Sequence, residues 1–447
     1  MRQLKIKIIS VIILVVILSI WLNVLYVKNE SFAVTSEDTY DVVLFWGQSN
    51  MLGYAKNNKE DRYDPSDEAS VEVYSQETGI DKSILSKNGA TRNEITIPQE
   101  EGTVFEYLYS KDTLQEINAN TKSLGETLYY QYDSNGNLTE LGTTANASGM
   151  AAMAKSNGIN MIPEFGNIWY KNTGHKMVAV FCAYGAQKIE QFLPRTDSDY
   201  PIENQRYMYE AIKTKWNATI AYLNKNNYKI GNKLYVVCQG ESNILDSKDE
   251  YKNKFIKVHN NMKNDLGITV GAIAETSTKI GSPTLTNVNN KHMAYEELIE
   301  ENDDIILGSS YAYDRYVPNE AQYSLCNTKI CYDSDGNKLT YSKALEKASK
   351  SVDYDTNTIH FTSAALSQIG KESAESLSQI NKIEVSKLPS QTTYIQNYEK
   401  INVSGGEITV HFLNIKDEVI PLNSTMVKGF DNSKIGKQTV TVTYKEK

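Results

Sequence analysis

Hydrophobic and polar positions divide the chain into an apolar leader, a long stretch of alternating strand-like and helix-like segments, and a tail with two-residue alternation. The strand and helix patterns are clearest within residues 162–274. Apolar runs at 176–185 and 233–241 end in glycine or polar residues, whereas 207–223 and 251–266 repeat their apolar residues at helical spacing. Strands that alternate with helices in this way predict a parallel sheet with helices on both faces.

The tail of the chain has a different pattern. Residues 362–377 still have helical spacing, but Pro389 breaks the chain soon afterwards. Beyond it, apolar and polar residues alternate with period two, as at 407–412 and 438–444. We therefore predict that residues 388–447 form a small, separate all-β domain.

The beginning of the chain has the pattern of an export signal. Basic residues occur among positions 1–7, and the apolar run at 8–27 is long enough to cross a bilayer as a helix. Ser31-Phe32-Ala33 has the small-x-small form of a cleavage site. Residues 1–33 therefore predict a signal peptide or an uncleaved membrane anchor that inserts at least transiently. Either alternative implies a protein that is secreted or held at the cell surface.

A polar stretch at about 54–150 interrupts the α/β pattern of residues 34–387. It is rich in Asn, Ser, Thr, Glu and Tyr, although 104–108 and 128–132 have the composition of strands. We predict that this stretch is an insertion over the edge of the sheet and that it contacts the substrate.

Composition narrows the class of protein. The net charge of −9, without a block of basic residues, argues against a nucleic-acid partner. The 30 tyrosines suit a sugar-binding surface, although tyrosine is equally common in β-rich secreted domains. The five histidines are dispersed and no Cys/His spacing matches a metal site, so we predict no metal site. No feature of the sequence predicts a protein partner.

The four cysteines fall into two classes. Cys326 and Cys331 lie in one polar loop and could close a small disulfide ring in an exported protein. Cys182 and Cys238 lie within apolar runs, and we predict that they are small core residues.

The first candidate catalytic residue lies within residues 42–51, where an apolar run stops at Gly47-Gln48-Ser49-Asn50-Met51. A serine that follows a buried strand lies at the sheet edge where open α/β folds bind ligands. It becomes a nucleophile only if a base removes its proton and donors await the oxyanion. Two other predicted strand ends, Gly185 and Gln239-Gly240-Glu241, supply groups of the required kinds.

These segments resemble the motif blocks of a known esterase family. Together with Pro163-Glu164-Phe165 and His360-Phe361, they match in order the sialate O-acetylesterase-like (SASA) group, which includes carbohydrate esterase family six. The resemblance covers roughly residues 40–380. It implies an SGNH-hydrolase fold, a three-layer α/β/α arrangement with a parallel sheet, and removal of acetyl groups from sugar hydroxyls without metal or cofactor. The implied partner is an acetylated glycan.

The resemblance also implies roles for individual residues. Ser49 matches the nucleophile, which would form an acyl-enzyme. Its backbone N–H, the N–H of Gly185 and the side-chain amide of Gln239 match the donors that hold the oxyanion. The residues after Gly185 depart from the family's usual Gly-Gly-Ser/Thr pattern. We predict that Gln48 and Asn50, on either side of the serine, bind substrate.

His360 matches the general base, but the residue expected to orient it departs from the family pattern. The family usually has Asp-x-x-His here, whereas this chain has Asn357. An asparagine can orient an imidazole but cannot stabilise imidazolium as a carboxylate does. Glu241 is the first alternative acid and Asp355 the second. We expect the other four histidines at the surface.

The tail resembles bacterial Ig-like domains of surface and secreted proteins, through segments such as Val403-Ser404-Gly405-Gly406 and Gly436-Lys437-Gln438-Thr439-Val440. Such a module implies a spacer or adhesion role. It also supports a rival to the esterase: a non-catalytic surface adhesin or glycan-binding protein with a degenerate esterase site.

Overall fold

The helices and strands below lie in the residues that the computed structural model describes, which are 38–53, 100–118, 123, 125–132, 138–143, 160–200, 207–276, 285–312, 331–332, 338–339 and 363–445. The strands are β1 (Thr39–Gly47), β2 (Val104–Leu108), β3 (Thr113–Glu116), β4 (Leu128–Tyr132), β5 (Leu138–Thr143), β6 (Lys176–Ala183), β7 (Lys229–Cys238), β8 (Val270–Ala274), β9 (Ile305–Ser309), β10 (Cys331–Tyr332), β11 (Lys338–Leu339), β12 (Ile380–Lys387), β13 (Glu407–Phe412), β14 (Glu418–Pro421), β15 (Val427–Lys428) and β16 (Thr441–Val442). The α-helices are α1 (Ser49–Leu52), α2 (Ile162–Thr173), α3 (Met208–Lys225), α4 (Lys248–Leu266), α5 (Leu285–Glu301) and α6 (Ser363–Leu377).

The main sheet of this part of the chain has seven strands in the order β3-β2-β6-β1-β7-β8-β9. Neighbouring strands are parallel except for β2 with β3. The central strand β1 pairs with β6 on one side and β7 on the other, so that Gly47 lies opposite both Ala183 and Cys238. The carboxyl ends of these three strands are therefore level with each other at one edge of the sheet.

Helices cover both faces of the sheet because the apolar side chains of β1 alternate between the faces. Val42, Leu44 and Trp46 pack with α3, α4 and α5, whereas Val43 and Phe45 pack with α1, α2 and α6. All five side chains are buried. The predicted α/β fold, with a mostly parallel sheet between two helical layers, is confirmed.

The elements predicted within residues 162–274 are present, but the polar stretch before them differs from expectation. Strand β2 pairs with β6, and β3 pairs with β2, so residues 104–116 extend the main sheet. The reason is packing, because Val104, Tyr107 and Leu108 are buried. This short segment was predicted to belong to an insertion over the sheet edge. At the opposite edge of the sheet, β9 is a further parallel strand, and α5 connects it to β8. Neither element was predicted.

Beyond α6 the chain forms antiparallel sheets, one of β12, β13 and β14 and one of β15 and β16. Ile408, Val410 and Phe412 of β13 form their common core. The predicted all-β, Ig-like character of the tail is thus confirmed. Strand β12 already belongs to this sheet, ahead of the predicted start at residue 388, and only β16 forms within the predicted strand at 438–444.

The C-terminal sheets pack against the amino end of the main sheet. The backbone N–H of Lys416, which follows β13, donates to Oδ1 of Asn232 in β7 at 3.4 Å. His175, directly before β6, contacts Glu418 of β14 at 3.3 Å. Residues 39–447 accordingly form one compact unit.

Two sequence predictions concern the leader and the cysteines. In the part of the chain that the structure describes, no helix is long and apolar enough to cross a membrane. The leader, residues 1–33, lies outside that part, and so does Cys326 of the predicted disulfide ring. Cys182 and Cys238 are buried free thiols, as predicted.

Candidate active site

Three neighbouring strands bring four of the predicted site residues to one edge of the main sheet. Ser49 follows β1 after one residue, Gly185 follows β6, and Gln239 and Glu241 follow β7. Because β6, β1 and β7 are adjacent and their carboxyl ends are level, these residues lie on the same side of the sheet. In open α/β sheets this edge is where ligands bind.

Close packing explains the glycine that precedes Ser49 and the one that precedes Glu241. A Cβ atom on Gly47 would lie 2.1 Å from the carbonyl oxygen of Cys238. A Cβ atom on Gly240 would lie 2.2 Å from the hydroxyl oxygen of Tyr295. Both glycines also have positive φ angles, +149° and +156°. The two motifs therefore need glycine so that their strand ends can approach their neighbours.

Ser49 is the first residue of α1 and is only 4% exposed. The N–H of Leu52 donates to the carbonyl of Gln48 at 3.0 Å, which closes the single turn of this helix. The N–H groups of a first helical turn have no acceptor within the helix. The backbone N–H of Ser49 therefore needs an acceptor outside the helix, and its role as an oxyanion donor stays a prediction.

Side-chain hydrogen bonds join the motif around Ser49 to the motif around Glu241. The amide Nδ2 of Asn50 donates to Oε1 of Glu241 at 2.5 Å. The backbone N–H of Ser242 donates to Oε1 of Gln48 at 3.2 Å. The two residues predicted to bind substrate, Gln48 and Asn50, thus connect the ends of β1 and β7, and their contact with substrate stays a prediction.

Glu241 is a fully buried carboxylate with an incomplete set of partners. Its exposure is 0%, and its Oε2 has no hydrogen-bond partner among the described residues. Burial raises the pKa of Glu241 to about 7, and the hydrogen bond from Asn50 opposes this rise. A carboxyl group of this kind changes its charge near neutral pH and retains one oxygen that can bind an imidazole N–H.

Gln239, the predicted side-chain donor to the oxyanion, is held by protein groups on every side. Its Nε2 donates to the carbonyl of Gln187 at 3.0 Å and to Oδ1 of Asn243 at 2.9 Å. Its Oε1 accepts a hydrogen bond from the hydroxyl of Tyr251 at 2.8 Å. Both amide N–H groups are therefore in use, and the oxyanion role stays a prediction that requires Gln239 to exchange one of these bonds.

The predicted general base, His360, lies outside the described residues, as do Asp355 and Asn357. Among the other histidines, the expectation of a surface position is wrong for His259, which is 2% exposed. Its ring lies 2.9 Å from the hydroxyl of Tyr235 and 3.2 Å from Asp304. The Tyr235 hydroxyl supplies a hydrogen bond and the Asp304 carboxylate a polar contact, and these two partners offset the burial of the imidazole.

Sequence reasoning missed the tyrosines that hold the Gln-Gly-Glu turn. The hydroxyl of Tyr295 of α5 donates to the carbonyl of Gln239 at 2.6 Å. The hydroxyl of Tyr251 of α4 lies 2.8 Å from the same carbonyl and shares its one proton between this oxygen and Gln239 Oε1. With 30 tyrosines in the chain, no local signal distinguishes these two. Among the described residues, no group of three or more His, Cys, Asp or Glu side chains is arranged to hold a metal ion.

Two family models match parts of the chain. Residues 112–303 match the family described as carbohydrate esterase, sialic acid-specific acetylesterase, and residues 389–447 match the bacterial Ig-like domain, group 3. The first match contains Gly185, Gln239 and Glu241, whereas Ser49 and His360 lie outside it. Both resemblances predicted from the sequence are confirmed by these matches.

Several solved structures are similar to this chain. A protein from Arabidopsis thaliana is 13% identical with a TM-score of 0.32, and the alignment covers 71% of this chain and 96% of that one. NanS is 14% identical with a TM-score of 0.32 over 77% of this chain and 98% of its own. A carbohydrate acetylesterase from Xanthomonas citri is 11% identical with a TM-score of 0.32 over 83% and 62%. At these TM-scores the likenesses support no further argument, and no curated protein matches the sequence.

Proposed function

We propose that the chain hydrolyses acetyl esters of sugars by a serine–histidine–acid mechanism, because residues 112–303 match the family described as carbohydrate esterase, sialic acid-specific acetylesterase. The observation that carries this proposal is the position of Ser49 at the end of the central strand, joined through Asn50 to the buried carboxyl of Glu241. A nucleophile and an acid at adjacent strand ends are the arrangement that acyl transfer requires.

The reaction would proceed in two steps through an acyl-enzyme. His360 accepts the proton of the Ser49 hydroxyl as the serine oxygen attacks the acetyl carbonyl. It then gives that proton to the sugar oxygen as the bond from this oxygen to the acetyl carbon breaks, so that the sugar leaves with a free hydroxyl. Water then attacks the acetyl-serine with His360 again as base, releasing acetate and regenerating Ser49. The backbone N–H groups of Ser49 and Gly185 would hold the oxyanion in both steps, with Gln239 as a third donor if it exchanges a bond.

Glu241 would orient His360 and stabilise its charged form, with Asp355 and Asn357 as the alternatives. This role requires the carboxylate form of Glu241, because a protonated carboxyl stabilises imidazolium poorly. The pKa of Glu241 is about 7, so activity should fall as the pH decreases through neutrality.

A second candidate is a non-catalytic glycan-binding protein or adhesin whose esterase site is degenerate. The observation that favours it is the Gln239 amide, which has both N–H groups donated to protein acceptors. The Ig-like family of residues 389–447 suits either candidate.

We also propose that the protein is exported. Its parts would be a leader or anchor at 1–33, the esterase domain at 34–387 and the Ig-like domain at 388–447. The leader pattern and the two family matches support this organisation. Fractionation of expressing cells, with antibodies to the Ig-like domain, would test the location directly.

The substitution Ser49→Ala separates the two candidates. We expect wild-type protein to release acetate from 4-nitrophenyl acetate and from O-acetylated sialic acid or xylan. Ser49→Ala should lose at least a thousandfold in kcat/KM, roughly the scale found for removal of a triad member. Ser110→Ala, which changes an exposed serine, should match the wild type. Equal rates for Ser49→Ala and wild type would contradict the mechanism, and glycan binding without turnover by either would support the adhesin.

A further inference from the structure

We propose that Lys291 is a positioning residue of this site: its ammonium group, buried behind the Gln-Gly-Glu turn, keeps the Glu241 carboxyl in its ionised form. The inference rests on the proposed function, because it concerns the acid that would support His360. It adds a residue that neither the family motifs nor the sequence pattern indicates.

Lys291 occupies a position that is unusual for a lysine. It is 2% exposed, and its Nζ has no hydrogen-bond partner among the described residues. The Nζ lies 3.3 Å from the ring centroid of Tyr251. Its Cδ is 3.4 Å from the point where a Cβ on Gly240 would lie. The side chain therefore runs directly beside the residue that precedes Glu241.

A second buried lysine in the same domain shows the contrasting, structural solution. Lys215 is 0% exposed, and its Nζ donates to the carbonyl oxygens of Glu126 and Phe181. It also lies 3.7 Å from the Glu126 carboxylate. Lys291 has none of these hydrogen bonds, and a buried ammonium without them requires compensation by nearby charge. Tyr251 provides part of it through its ring.

Glu241 is the acid near Lys291 with the least other compensation. Asp246 and Glu190 lie in the same region, but Lys254 contacts both, at 3.0 and 3.6 Å. The amide Nδ2 of Asn243 also donates to each of them at 2.9 Å. The partners of Glu241 are instead neutral, the Asn50 amide and the backbone N–H groups of Gly240 and Glu241, so Lys291 is the cation that favours its charged form.

The charges around Lys291 are those expected if Lys291 and Glu241 stabilise each other's charged forms. Burial lowers the pKa of Lys291 to about 7, and Asp246, Glu190 and Glu241 oppose this change. The titratable or charged groups that face Lys291 and Glu241 are Glu190, Cys238, Asp246, Tyr251, Lys254 and Tyr295. The neighbouring His292 contacts Glu275 and Glu296. Burial favours the neutral form of each group, whereas the charge of each group favours the charged form of the other.

The test is the pH profile of kcat/KM for full-length Lys291→Met between pH 5 and pH 9. Methionine retains the apolar stem and removes the charge. We expect the acidic limb to move upward by about one pH unit or more, the scale of a nearby opposite charge. This shift means a roughly tenfold loss at pH 6, with the rate at pH 9 retained. Lys291→Arg keeps the charge and should leave the limb near its wild-type position.

Controls separate this effect from a structural one. Lys252→Met removes a cation of α4 that pairs with Glu297 and Glu301, and should not move the limb. If Lys291→Met fails to fold, Lys291→Gln gives the same test. An acidic limb that coincides with the wild type, or an equal loss at every pH, would overturn the role of Lys291. Full activity of Ser49→Ala would instead overturn the proposed function itself, so the two failures are distinguishable.

Discussion

The central strands of the main sheet have one buried carboxylate at their amino edge and another at their carboxyl edge. The two carboxylates differ in how many hydrogen bonds they accept. Asp41 lies near the start of β1, whereas Glu241 follows the end of β7, and both are 0% exposed. Asp41 accepts hydrogen bonds from the backbone and side chain of Asn232, from Trp169 and from His175. Glu241 accepts one side-chain hydrogen bond, and its second oxygen has no partner among the described residues.

The difference indicates what each carboxylate does. When both oxygens of a buried carboxylate accept hydrogen bonds, these bonds offset the cost of removing the carboxylate from water. They also hold together the strands and helices that supply the donors. A carboxylate with one oxygen free retains capacity for a further partner. We infer that Asp41 joins β1 to its neighbours β7 and α2 and to His175 at the amino edge, whereas Glu241 retains an oxygen for a catalytic partner at the carboxyl edge.

The largest expected effect is the loss of activity in Glu241→Gln. The amide cannot stabilise imidazolium, so kcat/KM at pH 8 should fall by roughly 10²–10⁴-fold. Thermal stability at the same pH should not fall, because the raised pKa of Glu241 means that its ionised form opposes folding. Activity within threefold of the wild type would transfer the orienting role to Asp355 or Asn357.

The opposite result is expected for Asp41→Asn. Removing the charge leaves His175 and the other donors poorly paired, which should lower the free energy of unfolding by about 3 kcal/mol. The kcat of the protein that remains folded should be unchanged, because Asp41 lies at the far edge of the sheet. Urea unfolding and active-site-normalised kinetics measure the two quantities, with the exposed Asp303→Asn as control. A large kcat loss would contradict the division between the two edges.

The amino edge should also show its own pH dependence of stability. Burial lowers the pKa of His175, but its hydrogen bonds to Asp41 and Glu418 outweigh burial and raise the pKa to about 9. This stabilisation is complete below pH 6.5, the ordinary histidine value, and is lost as the pH rises through about 9. We expect a decrease of up to about 3 kcal/mol across this range, and a flatter profile for His175→Gln.

His411→Gln is the matched control, because His411 pairs with Asp417 on the outside of the C-terminal sheet. Its profile should follow that of the wild type between pH 6.5 and pH 9. A His175→Gln profile as steep as the wild-type one would show that another group causes the change.

The smallest effect is expected where the C-terminal sheets meet the main sheet, at Glu418. This carboxylate lies 3.3 Å from His175, but its side chain is 34% exposed, so the ion pair is partly screened. Glu418→Gln should therefore lower the free energy of unfolding by about 1 kcal/mol or less. Differential scanning calorimetry would measure it against Glu384→Gln, a more exposed carboxylate of β12. A loss above 3 kcal/mol would mean that the domain contact depends chiefly on this pair.

The central strand and its serine motif could be predicted from the sequence because they are local features. The run Val42–Trp46 is apolar on both faces, and Gly-Gln-Ser-Asn-Met follows it directly. Repeated strand and helix patterns then predicted the sheet and its helical layers. The Gln-Gly-Glu motif likewise follows β7 without interruption.

Long-range contacts could not be predicted in the same way. Asp41 and His175 are 134 residues apart, and each looks like an ordinary polar residue beside a strand. Lys291 and Tyr295 lie on a helix of mixed polarity, α5, which has no distinct apolar stripe in its sequence. The bonds that occupy Gln239 come from three separate elements, so its side chain gives no sign that both N–H groups are already used.

The most direct test of the account is covalent labelling by a fluorophosphonate, which reacts only with an activated serine. We expect one phosphonyl group per wild-type molecule, located on Ser49 by peptide mass spectrometry. Labelling should be absent in Ser49→Ala and at least a hundredfold slower in Glu241→Gln, whereas Asp41→Asn should label at the wild-type rate while folded. Labelling of Ser49→Ala to the wild-type extent, or no labelling of a wild-type protein that hydrolyses acetyl esters, would contradict it.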